Sequence, residues 1–157
     1  MRLYKITLLL VLVLCNKSYG QKYSFKKEWP TLATIYLSGA FDGTSETLAH
    51  HYMEFDKVFP NANQQYWNPT YSWRNKYKDG NYQMGPKYLG STSFLVWTTD
   101  GYHMLRFSRN MMIVGTFMLH PREKKNWKSH ALDVFMHTSF YHMGFWTTHE
   151  IIFNRHK

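Results

Sequence analysis

Asp42, Glu46 and His50 stand at positions i, i+4 and i+8 of the stretch AFDGTSETLAHHY, and at about 100° per residue they share one face of an α-helix. Two carboxylates and an imidazole on one face are the donor set of a divalent-metal site, or of general acid and base chemistry. The same face also reads as the solvated side of a helix packed by its other side. Asp100 and His103, in TTDGYH, form a second carboxylate–imidazole pair, one turn apart if a helix begins near Thr99. SHALDVFMH supplies a third, with His130, Asp133 and His137 within one narrow face and His142 and His149 on another. A helical bundle can converge such faces on an ion, as carboxylate-bridged metal proteins do. The sequence therefore nominates Asp42, Glu46, His50, Asp100 and His103 as ligands of a divalent metal. No HExxH, GxSxG, P-loop or GxGxxG pattern occurs, which leaves serine-nucleophile chemistry and phosphate cradling without a basis.

A different chemistry is offered by WNPTYSWRNKYKDG, Trp67 to Gly80. Trp and Tyr present an apolar face with a polar edge, which suits stacking on sugar rings or settling at a membrane interface. Trp67, Trp73, Arg74 and Tyr77 are the contacts such binding would use. The alternative is a small core belonging to the loop itself, clamped by Trp67, Tyr71, Trp73 and Tyr77. Disorder is the poorer description, since disordered segments are poor in aromatics.

The elements that must position these residues are helical. After Pro30, the apolar positions Ile35, Leu37, Phe41, Leu48, Tyr52, Phe55 and Phe59 predict a helix over residues 31–59 that Pro60 ends. Gly39 and Gly43 weaken it. Residues 61–93 carry the turn signals NPT, KDGN, MGPK and LGSTS and form a long ordered aromatic loop. Residues 94–153 read as a helical hairpin, the first arm capped by Thr98 or Thr99 and closed by Pro121, the second capped by Ser129. TSFLVWTT also fits a short strand. The expected fold class is all-α, a small helical bundle with a long ordered aromatic loop, embedded in part in a membrane or lying at its surface. Clean spanning is disfavoured by Arg106, Arg109 and Asn110 in the first arm and by Asp133 and Glu150 in the second.

The first twenty residues have the form of a secretory signal peptide, with Arg2 and Lys5 ahead of an apolar run and Ser18 and Gly20 where a peptidase reads. Residues 21–157 then make one domain. The one cysteine, Cys15, lies within the leader, so disulfides do not staple the remainder. Loss of Arg2, Lys5 and Lys17 lowers the formal net charge from +9 to +6. Outside the cytoplasm a basic surface meets lipid headgroups and acidic glycans, and no nucleic-acid partner is expected.

The strings SGAFDGTSETLAHHYMEF, YWNPTYSWRNKY and GSTSFLVWTTDGYHMLR together resemble an uncharacterised family of small bacterial proteins with a WNPxxSWxNKY core followed by a TDxxH segment. The resemblance covers residues 37–106. It implies a helical, often membrane-associated protein with no assigned activity. The matching positions are Asp42, Glu46, His51, Trp67, Asn68, Pro69, Ser72, Trp73, Asn75, Lys76, Tyr77, Asp100 and His103, so the resemblance favours His51 over His50 as the histidine beside Asp42 and Glu46. The expectation is an exported protein of the periplasm or envelope membrane with a structural or interaction role. The alternative is a metal-dependent hydrolase of the envelope.

Overall fold

The computed structural model describes residues 24–121 and 127–154. The leader with Cys15, and Arg122, Lys124 and Lys125, lie outside the described residues. The fold is all-α. Helix α1 spans Phe25–His50, α2 Tyr52–Val58, α3 Gln64–Trp67, α4 Pro69–Ser72, α5 Gly101–Leu119 and α6 Trp127–Trp146, which runs on into a π-helical turn, Thr147–Phe153. Among the described residues no strand forms, and one isolated antiparallel bridge joins Tyr77 to Pro86. The TSFLVWTT segment contributes a 3₁₀ turn, Val96–Thr98.

The long first helix differs from its expected bounds at both ends. It begins five residues before Pro30, where the Ser24 carbonyl accepts the amides of Lys27 and Glu28 at 2.9 and 3.0 Å. Pro30 therefore lies inside the helix, past the first turn, where it has no amide to donate to the Lys26 carbonyl. At the other end the chain breaks at His51, whose φ of −136° is not helical. α2 then starts at Tyr52.

The expected hairpin of residues 94–153 does not pack as a pair. α5 and α6 both lie along α1 and touch each other little, so α1 is the central element. The reason is steric. A Cβ added at Gly39 would stand 2.0 Å from the Tyr141 carbonyl oxygen, and one at Gly144 would stand 2.0 Å from that of Tyr36. Gly43 is similarly pressed, 2.6 Å from the Phe145 carbonyl oxygen. These glycines let the α1 and α6 backbones meet, which is the use of small residues spaced one turn apart. Their cost in helix propensity is outweighed by contact.

Hydroxyl groups stitch the same interfaces. Thr148 Oγ1 donates to the Ala40 carbonyl at 3.0 Å, Ser38 Oγ to the Arg109 carbonyl at 3.2 Å, and Thr34 and Thr116 hydroxyls meet at 3.0 Å. Thr31, Ser38 and Thr47 are fully buried. The apolar core sits toward the α1–α2 junction, where Leu48, Phe55, Leu105 and Phe153 cluster with Phe41, Tyr52 and Trp67 against them. Many large apolar side chains lie outside it. Phe107, Met111, Val114 and Met118 line an exposed face of α5, while Phe25, Trp29 and Leu37 do so on α1.

Gly144→Ala will therefore destabilise the protein by at least ~2 kcal/mol through overpacking. Gly115→Ala, whose Cβ would meet nothing nearer than the Thr34 methyl at 3.9 Å, will stabilise it by about 0.5–1 kcal/mol. Urea unfolding of both variants against wild type checks the opposite signs.

Candidate functional site

The nominated residues are divided among separate contacts. Asp42, on α1, faces both neighbouring helices: Arg109 Nη1 donates to its Oδ1 at 2.7 Å and Tyr141 Oη to its Oδ2 at 2.6 Å. Burial of the Tyr141 phenol, then its bond to Asp42 and that carboxylate's charge, push its pKa up to about 12. The phenol stays protonated and donating through neutral pH. Asp42 is thus a structural anchor joining α1, α5 and α6. Glu46 and His50 lie at the exposed surface, Nε2 3.5 Å from Oε1. His51 turns its ring edge toward His149, with centroids 5.6 Å apart.

Asp100 caps α5, a role expected of Thr98 or Thr99. Its Oδ1 accepts the His103 amide at 2.9 Å, its Oδ2 lies 2.8 Å from His103 Nδ1, and the Thr99 hydroxyl donates to Oδ2 at 3.0 Å. The carboxylate is 1% exposed. Burial alone would raise its pKa, but the bonds from the His103 ring and amide and from Thr99 outweigh burial and hold it below the usual carboxylate range. The TDxxH string is a helix N-terminus in which the Asp100 carboxylate engages both the amide and the ring of His103.

The aromatic segment is ordered, but its clamp differs from the expected one. Trp67 belongs to the main core: it packs on Phe55 with centroids 5.6 Å apart, and its ring occupies the space a Cβ of Gly101 would need, at 2.2 Å. Tyr71 is 48% exposed. Trp73 and Tyr77 meet edge to face at the surface, with Arg74 over the Trp73 ring and Lys76 over that of Tyr77. Asparagines hold the segment instead. Asn63, Asn68 and Asn81 each accept the amide two residues on, as helix-capping side chains do. Asn75 donates to the Gln65 carbonyl at 2.8 Å and to that of Thr99 at 3.0 Å, tying the segment to the start of α5.

Among the described residues, Glu28, His120 and His137 form a group of three in which one donor atom from each lies within 4.8 Å of the others. They meet at the end of α5 opposite to Asp100 and His103. His120, the C-cap of α5, lies between two carboxylates, Nδ1 3.6 Å from Glu28 Oε2 and Nε2 3.6 Å from Asp133 Oδ2. Asp133 and His137 share a face at i and i+4 of α6, as their spacing implies. Glu28 and His120 carried no signal, because KKEWP and LHPRE place them in segments that only folding brings together.

Asp100→Ala will cost about 1–2 kcal/mol. Because the folded-state pKa is depressed, the carboxylate's contribution is present above the unfolded value, near pH ~4, and is lost as pH falls through the folded value. Urea unfolding followed by tryptophan fluorescence at pH 7 and pH 3 will show the wild-type advantage over Asp100→Ala shrinking at the lower pH.

Comparison with protein-family models, with curated proteins and with solved structures finds no match to this chain, so its chemistry rests on its own side chains.

Proposed function

We propose that this is an exported, envelope-associated helical protein that lies on an anionic lipid surface and serves a structural or interaction role there. The supporting observation is an inverted distribution of side chains. Glycine, serine and threonine fill the contacts of α1 with α5 and α6, whereas Phe117, Met118 and Trp127 are 77%, 73% and 75% exposed. In water such a surface is an interaction site. At a membrane interface, outward apolar side chains bury into the headgroup and acyl boundary.

Charge selects the kind of surface. The Glu28–His120–Asp133 contacts bring the start of α1, the end of α5 and the start of α6 to one end of the bundle. Phe25, Trp29, Phe117, Met118, Leu119 and Trp127 are exposed at that end, together with Lys26, Lys27 and Lys128. Aromatics flanked by lysine suit the headgroup boundary of an acidic leaflet, where each basic residue contributes about 1 kcal/mol. No helix among the described residues is long and apolar enough to cross a membrane; the binding proposed is interfacial.

Co-sedimentation tests this directly. The protein will pellet with vesicles containing phosphatidylglycerol, less with phosphatidylcholine alone, and less as salt rises. The double variant Phe117→Ser, Met118→Ser will bind about tenfold or more weakly, since each side chain withdraws roughly 1.5–3 kcal/mol of burial. A wild-type protein that stays in the supernatant with acidic vesicles at low salt contradicts the proposal.

A further inference from the structure

We infer that Glu28, His120 and His137 form a divalent transition-metal site, with Zn(II) the ion their chemistry fits, and that Asp133 orients His120 within it. This stands apart from the lipid reading. Glu28 is 4% exposed and Asp133 5%, so two carboxylates are held in a largely dry setting beside a pair of imidazoles. His120 and His137 rings stand 5.5 Å apart, nearly perpendicular at 77°. One donor atom from each of Glu28, His120 and His137 lies within 4.8 Å of the others. Tetrahedral zinc with bonds of about 2.0–2.1 Å needs its donors roughly 3.3 Å apart. Small side-chain rotations close that difference.

The two ring nitrogens of His120 have different roles. Nδ1 is buried and makes no hydrogen bond, and it faces Glu28 Oε2 at 3.6 Å. Nε2 faces Asp133 Oδ2 at 3.6 Å. A proton on Nε2 directed at Asp133 leaves the Nδ1 lone pair for the ion, the carboxylate–histidine–metal relation that fixes tautomer and ring orientation. Two imidazoles favour zinc and its neighbours over magnesium and calcium. Three protein ligands leave a fourth position for water or a solvent-borne ligand. The ion would tie together the first turn of α1, the C-cap of α5 and the second and third turns of α6.

The test uses the untagged full chain, stripped with chelator and titrated with Zn(II) against a chromophoric competitor, with Co(II) as spectroscopic probe. The expected result is one Zn(II) per chain, Co(II) visible bands of four-coordinate intensity, and a Tm raised by roughly 5–10 °C at a hundredfold excess over Kd. Glu28→Gln, close in shape, and His137→Gln should each weaken binding tenfold or more. Asp133→Asn, a positioning change, should weaken it about 10- to 100-fold. His130→Asn, at an exposed position of α6, should leave affinity unchanged. Far-UV circular dichroism establishes that each variant is folded. Absence of saturable Zn(II) binding by folded wild type overturns the inference, as does wild-type affinity in both Glu28→Gln and His137→Gln, which would put the metal on other histidines.

Discussion

The backbone of α6 rests on the backbone of α1. With the Tyr141 carbonyl where a side chain at position 39 would begin, and the Tyr36 carbonyl where one at 144 would begin, no larger residue can occupy either place. Once α6 is seated so closely, the neighbouring contacts must also be made by short groups, and they are: Thr148 reaches the Ala40 carbonyl, and Ser38 that of Arg109 on the opposite flank. Large apolar residues are displaced from the helix contacts to two places. One is the cluster of Leu48, Phe55, Leu105 and Phe153 near the α1–α2 junction; the other is the outside of the bundle.

Polar anchors hold this arrangement at three levels. Asp42 joins all three long helices at mid-height through Arg109 and Tyr141. With side chains only 25% and 20% exposed, Asp42 and Arg109 are partly desolvated, and breaking one partner costs more than the pair's net contribution. Asp100 fixes the start of α5, and Trp67 lying on Gly101 docks the preceding segment to the same point. At the far end Glu28, His120, Asp133 and His137 gather the helix termini. The exposed aromatic and basic surface surrounds that last cluster.

Helicity was legible because apolar spacing and turn residues are local signals. Leu48 and Phe55 of the apolar set are core, but Leu37 and Phe59 of the same set are exposed, and the single helix expected to carry them breaks at His51. What could not be read were long-range consequences. Gly39 and Gly43 look like defects in a helix until the backbone of Tyr141 and Phe145, about a hundred residues on, is placed against them. Asp42, Glu46 and His50 do share a helical face, but Arg109 and Tyr141 claim Asp42 from elements with no sequence link to it. Asp100 and His103 were paired correctly by spacing, and their clasp caps a helix. Of the buried metal-reach cluster and its orienting carboxylate, Asp133 and His137 were visible on one face of SHALDVFMH, whereas Glu28 and His120 become partners only when α1 and α5 align.

The outward apolar surface is proposed to face lipid, and quenching by acyl chains reads that placement. Trp29 and Trp127, at the proposed lipid-facing end, are 53% and 75% exposed, while Trp67 is partly buried against the core. With vesicles carrying brominated acyl chains, emission from protein retaining Trp29 and Trp127 should fall strongly, and a variant retaining Trp67 alone should be much less affected. Outward tryptophans that ignore the brominated chains yet remain open to acrylamide in the presence of acidic vesicles would contradict it.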